Sequence, residues 1–314
     1  MLLLLQLSCS SAGLPPGLVE DAETGRRFLS IDAALGAGAE RILLGPGTFI
    51  QPCAEHGLTR VEVTGSGRGV TVMRRGRCDQ SELVAPGPIT IQDLTLQDAG
   101  LYASTTSTVT LRNLEITGWT GRDTREALLV AASDGYRVSG LRVHGNTFGA
   151  GDGLYFQSGG SIRNLVFRDN TVTHGYLLYV HEGVLQDAII ERNTRNERNP
   201  GFSLVEVHDT DLVDVTFRDN ELNGPTLSLS GTGTARRLTL EDDSSAWQAS
   251  IQLVPGADYY LRRGQVDRAD GIWMEPGSRL GLEDMWLNSG ADCEVRCGDR
   301  CIAETETIEC DNPL

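Results

Sequence analysis

Six residues in the middle third of the chain have the types and spacing to move protons: Asp152, His181, Glu182, Glu206, His208 and Asp209. Imidazoles and carboxylates are the side chains most used as general acids and bases near neutral pH. Around them stand Tyr155, Gln157 and Tyr179, with Trp273 and Glu275 further along. Aromatic faces stack on sugar rings. Two carboxylates on neighbouring strands would stand near the separation of a retaining glycosidase, and two strands apart near that of an inverting one. The same set suits elimination at a uronate: His181 or Tyr179 would remove the proton α to the carboxyl group, and Asp152 or Asp209 would hold a Ca²⁺ ion. No other cofactor is expected. A metal held by His181, His208 and Glu206 is the weaker reading of the same residues.

Residues so far apart in sequence meet only if the chain repeats. Leu141–Asn146, Leu165–Asn170, Ala188–Asn193 and Val215–Asn220 each read as a short apolar-polar-apolar strand ending in asparagine. The frame extends through Leu94, Leu114, Leu238, Gly264 and Met285, in steps of 20, 27, 24, 23, 27, 23, 26 and 21 residues. A second strand precedes each, beginning at Leu101, Leu129, Leu154, Leu178, Val205, Leu227, Ile251 and Ile272. Alternation with one apolar face is a half-buried strand, and a period of this length marks a solenoid. Stacking coil on coil buries the inner faces in one continuous core. The expected fold is an all-β, single-stranded parallel β-helix of about ten coils. Its second strands would superimpose one outward column of Tyr102, Val130, Tyr155, Tyr179, Glu206, Ser228, Gln252 and Trp273. The other column would hold Ser104, Ala132, Gln157, His181, His208, Ser230, Val254 and Glu275. The asparagines are read as structural, tolerating left-handed corners and bonding to one another along the axis.

The net charge of −16 argues against nucleic acid and against anionic membrane surfaces, and makes a neutral glycan the preferred substrate over a polyanion. The chain has no lysine, which leaves no lysine base or nucleophile. Cys53 and Cys78 are one coil apart, so they are expected to be bonded. Cys293, Cys297, Cys301 and Cys310 are read as two further disulfides closing the last coil, in preference to a zinc site, because no CxxC knuckle or nearby histidine accompanies them.

Residues Arg27–Gly36 place Phe28, Ile31, Ala34 and Leu35 on one helical face, and Ala39–Phe49 follows as a strand and a Gly-Pro-Gly-Thr-Phe turn. This resembles the N-terminal cap of the pectin-lyase-like right-handed β-helix superfamily, and the resemblance implies a right-handed coil plugged by that helix. The Asn-Thr-Asp, Asp-Asp, Gly-His-Gly and Arg-Ile-Lys series of the polygalacturonases and the Arg and Ca²⁺-ligand pattern of the pectate lyases are absent, so no single enzyme family is matched. Met1–Leu7 running into Ser8-Cys9 looks like the end of a bacterial lipoprotein signal, with Gln6 where that motif has leucine; it makes Cys9 the lipidation candidate and implies export. The expected division is 1–17 leader and tether, 18–38 tether and capping helix, 39–290 β-helix, and 291–314 Cys-rich cap.

Two function classes follow. One is an exported, monomeric protein that binds and cleaves a polysaccharide on the outer face of the middle coils, reaching the membrane only through Cys9. The other is a non-catalytic β-helix that recognises a glycan or protein.

Overall fold

Short alternating segments cannot bury an apolar face alone, and this chain solves the problem by coiling. The computed structural model describes residues 14–53, 58–77, 80–120, 126–149, 153–195, 202–241, 243–245, 250–267 and 271–288, with the backbone of Val295–Cys297, Ile302–Thr305 and Ile308–Cys310. It is a right-handed parallel β-helix of about nine turns, where repeat counting expects ten. Asp152, Cys9, Cys78 and the side chains of Cys293, Cys297, Cys301 and Cys310 lie outside the described residues.

The strand Leu178–Glu191 shows how one coil is built. Residues 178–181 form the front face, Glu182 turns the corner at φ 59°, and residues 183–186 form the side. Asp187 bends the chain again at φ 54° into the rear face, residues 188–191. Arg192, at φ 50°, then leads to the short ledge Thr194–Arg195. The strand Val205–Arg218 repeats both bends at Asp209 and Asp214, pairing residue for residue with its predecessor. Leu178, Val180, Leu185, Ala188 and Ile190 all point inward, and so do their counterparts Val205, Val207, Leu212, Val215 and Phe217 on the next coil.

The rear frame from Leu94 to Met285 pairs in the anticipated register. The front frame slips once. Leu128, not Leu129, stands beside Leu101 and Leu154. The outward columns therefore contain Leu129 and Ala131, while Val130 and Ala132 are buried. A run of six apolar residues, 127–132, gives no internal cue to its phase, and one residue of slip exchanges the two faces.

The asparagine column is buried and linked along the axis. Asn146 Nδ2 donates to Asn170 Oδ1 at 2.9 Å, Asn170 to Asn193 at 2.9 Å, Asn193 to Asn220 at 3.0 Å, and Asn220 to Asp243 Oδ1 at 3.0 Å. The left-handed backbone sits one residue earlier, at Gly145, Asp169, Arg192 and Asp219. The asparagines thus serve as interior amides rather than as the turning residues.

At the N-terminal end the helix is shorter than its pattern, Ile31–Gly36, because Arg27–Phe28 pairs as a strand with Val19–Asp21. Ser30 caps it, its Oγ accepting from Ala33 N at 3.1 Å, and Ile31, Ala34 and Leu35 close the core.

Candidate functional site

Parallel register places the front-face candidates on three successive rungs. Tyr155, Tyr179 and Glu206 are neighbours in one column, and Gln157, His181 and His208 in the next. Successive rungs lie about 4.8 Å apart. The stacking is close: Tyr155 and Tyr179 have ring centroids 4.7 Å apart and planes 3° from parallel, and His181 and His208 are 4.7 Å and 6°.

The corner beside these rings is stiffened from within. Tyr136 and Tyr259 lie inside the coil, and their hydroxyls donate to the carbonyls of Glu182 (3.2 Å) and Ser230 (3.2 Å). Burial pushes both phenols above their ordinary value. They fit because the neighbouring rungs carry glycine: a Cβ on Gly160 would sit 2.6 Å from the Tyr136 ring, and one on Gly233 2.6 Å from that of Tyr259. The left-handed conformations of Glu182 and Asp209 belong to this corner and recur at the other two, so they are not by themselves a mark of function.

Asp209 is the most constrained carboxylate of the set. Its Oδ1 accepts from Thr232 N at 2.7 Å and from the Thr232 hydroxyl at 3.2 Å, while its Oδ2 lies 3.0 Å from His208 Nε2. The Thr232 backbone bond, followed by the charge of His208 and the Thr232 hydroxyl, holds its carboxyl below the usual value against a smaller desolvation effect. Asp209 is therefore an anion near neutrality and orients His208 rather than donating a proton. The other nitrogen of His208, Nδ1, is 2.9 Å from Ser230 Oγ, and Ser230 Oγ also lies 3.0 Å from the Val207 carbonyl oxygen that accepts from it. Both nitrogens of His208 are engaged.

His181 differs. Its Nδ1 is buried without a hydrogen-bond partner, 4.0 Å from Glu182 Oε1, and its Nε2 makes no hydrogen bond with the described residues. It is the imidazole on this face with a nitrogen free to exchange a proton with a bound molecule.

An aromatic wall that sequence reasoning missed flanks the rings. Tyr176 packs on Tyr179 (5.8 Å, tilted) and meets Phe202 edge-on (5.4 Å), with the Arg195 guanidinium 5.7 Å above Phe202. Tyr176 and Phe202 come from the connections after the ledge strands, where the repeat pattern gives no register. The signal available was their position just before the front strands at Leu178 and Val205. Ser230 was placed in the right column but given no role. Toward the N-terminal coils the front face opens into a shallow depression of about 440 Å³ lined mainly by small side chains such as Ser104, Ala131 and Ser133, with Gln157 beside them.

Trp273 and Glu275 are not part of this cluster. Trp273 stands in the Tyr179 column beyond Glu206, Ser228 and Gln252, four rungs from the tyrosine, and Glu275 Oε1 accepts from Gln252 Nε2. Among the described residues no three histidine, cysteine or acidic side chains are grouped to hold a metal ion.

Comparison with known proteins finds the family described as right handed beta helix region over residues 89–264. No curated protein matches the chain. Among solved structures, the mannuronan C-5 epimerase AlgE6 A-module of Azotobacter vinelandii aligns over 96% of this chain and 98% of its own, at 15% identity and a TM-score of 0.39. The Agl-KA catalytic domain aligns over 89% and 64%, at 10% identity and 0.42. A PL6 family alginate lyase, AlyGC, aligns over 95% and 53%, at 11% identity and 0.35.

Proposed function

The chain belongs to the right-handed β-helix family, and from that premise we propose that it binds a polysaccharide along the front face of its middle coils and cleaves it by acid/base chemistry. The observation that carries this reading is the ordered set on adjacent rungs: His181 with an open Nε2, stacked on a His208 held by Asp209 and Ser230, beside the parallel rings of Tyr155 and Tyr179. In this reading Tyr155 and Tyr179 hold a sugar ring against the wall of Tyr176 and Phe202. His181 transfers the proton, and the Asp209 anion opposes the positive charge that gathers on the stacked imidazoles. Glu182 or Glu206 supplies the second group that a hydrolysis needs. For an elimination, Tyr179 and His181 divide the roles of acid and base. A Ca²⁺ ion on Asp209 does not fit: both oxygens of that carboxylate are committed to Thr232 and His208. No step is therefore routed through a metal.

The shallowness of the front depression favours a second reading, a non-catalytic rod that recognises a glycan. With either reading we propose an exported monomer tethered through Cys9 and stapled by a Cys53–Cys78 disulfide and the C-terminal cysteines. That Cys53 is a bonded cysteine rather than a free thiol supports the staple.

The test is a panel of neutral and uronate polysaccharides, scored for binding and for released reducing or unsaturated ends, with and without Ca²⁺. Turnover that disappears in His181→Ala supports cleavage, and the new end group tells hydrolysis from elimination. Binding without turnover leaves the recognition rod. No response to any glycan overturns both readings.

A further inference from the structure

On the side and rear faces of this solenoid, many arginines are matched to carboxylates one rung away. Arg192 pairs with Asp169 at 2.8 Å, Arg218 with Glu191, Arg237 with Asp214, Arg262 with Glu283 at 3.0 Å and Arg41 with Glu62 at 2.9 Å. A cluster beside the bend at Gly140 breaks the rule, as does Arg236 further along by itself. Arg112, Arg137, Arg142 and Arg163 are exposed and make no ion pair with the described residues. Register gathers them around the bend at Gly140. Arg137 and Arg142 lie on the same rung on either side of it, and Arg112 and Arg163 lie one rung before and after, in the column of Ser139.

A fifth guanidinium arrives from the loop of residues 65–70, between the strands Val61–Thr64 and Thr71–Arg74. Arg68, on the segment after the strand Val61–Thr64, reaches across the coils to donate from Nη1 to the Gly140 carbonyl at 3.1 Å. Burial, and the charge of nearby Arg142, press its guanidinium below its ordinary value. This loop is pinned there, with Gly69 N donating to Thr95 Oγ1 at 2.9 Å and Thr95 Oγ1 to Glu115 Oε2 at 2.8 Å. The acids facing the patch are largely committed: Glu115 to Thr95 and His144 (2.9 Å), and Asp93 to Asn113 Nδ2 (2.7 Å). Asp134, Asp169 and Asp187 stand at its edges, and Asp169 is paired with Arg192. A chain of net charge −16 thus carries a local cluster of unmatched positive charge.

We propose that this side face is a binding site for a carboxylated polysaccharide, separate from the front face. Planar guanidinium groups hold carboxylates by paired hydrogen bonds. The arginines recur at one and two rungs, roughly 5 and 10 Å, a spacing on the scale of successive sugar units. Duplex nucleic acid fits less well. Its phosphates present a charge every ~1.7 Å of axis, which the acidic body of the protein repels. No exposed aromatic ring stands among these five arginines to stack a base. The site does not rest on the front-face reading, because it is measured by binding rather than by turnover.

The experiment uses the full chain with polygalacturonate as probe, followed by affinity electrophoresis and calorimetry at low and physiological salt. The combined variant Arg112→Ser, Arg137→Ser, Arg142→Ser and Arg163→Ser binds at least tenfold more weakly than the parent at low salt. A control with the same change of net charge, Arg192→Ser, Arg218→Ser, Arg237→Ser and Arg262→Ser, stays within threefold of the parent. Melting curves establish that both variants fold. Equal loss in both variants, unchanged binding in the first, or a parent that ignores polygalacturonate overturns the proposal. So does duplex DNA bound as tightly as polygalacturonate through the same four arginines.

Discussion

Asp243 offers the sharpest test of the energetics, because it ends a buried asparagine ladder with a carboxylate that is only 2% exposed. Oδ1 accepts from Asn220 N (2.8 Å) and Nδ2 (3.0 Å), and Oδ2 from the Thr226 hydroxyl (3.2 Å). Burial outweighs these bonds and pushes the carboxyl from 3.8 up to about 6. A folded-state value above the unfolded one means that the native state holds its proton more tightly. Stability is thus undiminished below pH 3.8, falls as pH rises toward 6, and carries the full penalty above that. The rise of about two units, at about 1.4 kcal/mol each, sets that penalty near 3 kcal/mol at pH 7. Asp243→Asn keeps the shape and removes the charge. The ladder also provides for the new amide: each asparagine Nδ2 donates to the carbonyl three residues before its predecessor, Val143 for Asn170, Phe167 for Asn193 and Ile190 for Asn220. Phe217 is next in that series. Urea unfolding of both proteins between pH 4 and 7.5 is expected to show the variant more stable by about 2–3 kcal/mol at pH 7.5, with the difference vanishing near pH 4. A difference that does not vary with pH, or a variant less stable at pH 7.5, refutes the reasoning.

Three further outcomes are expected. Asn193→Ala removes the acceptor of Asn170 N and Nδ2 and the donor to Asn220, and lowers stability by about 2–4 kcal/mol in thermal or urea unfolding. Gly183→Ala would place a Cβ 2.4 Å from the Gly160 carbonyl oxygen at a backbone φ of 137°, so soluble yield and melting temperature fall sharply, whereas Ser161→Ala, at a half-buried position on the same face, leaves both near the parent. Tyr155→Ala and Tyr179→Ala each weaken the binding of any glycan that the front face holds by roughly fivefold to tenfold in calorimetry, about 1–1.4 kcal/mol per lost stacking surface.

The architecture was legible because it is written as a period. Leu165, Ala188, Val215 and Leu238 share a phase that only stacking explains, and the structure keeps it. The candidate site was legible as columns, which is why Tyr155 and Tyr179, and His181 and His208, could be paired before any coordinates. Phase failed where the pattern has no polar residue to mark it, at Leu128–Ala132. The contacts that differentiate the two histidines were also out of reach. Thr232, Ser230 and Tyr176 act through hydrogen-bond direction and ring packing, and neither leaves a trace in residue spacing. The same holds for charge: a total of −16 hides where the unmatched arginines lie.

The ladder from Asn146 to Asp243 has a direction as well as a length. Each side-chain amide gives one donated bond to the oxygen of the next coil, so the four side-chain links run in one sense and their dipoles add head to tail, as peptide dipoles do in an α-helix. The positive end of this row faces the C-terminal coils and meets a carboxylate there. The interior of the solenoid is therefore polarised along its axis, and its coils are not interchangeable parts. A rung inserted or deleted within the row preserves the polarity, whereas a cut after Asn220 strips the row of its terminating acceptor. A sheet protein usually cancels its backbone dipoles strand against strand; here a column of side chains restores a net one.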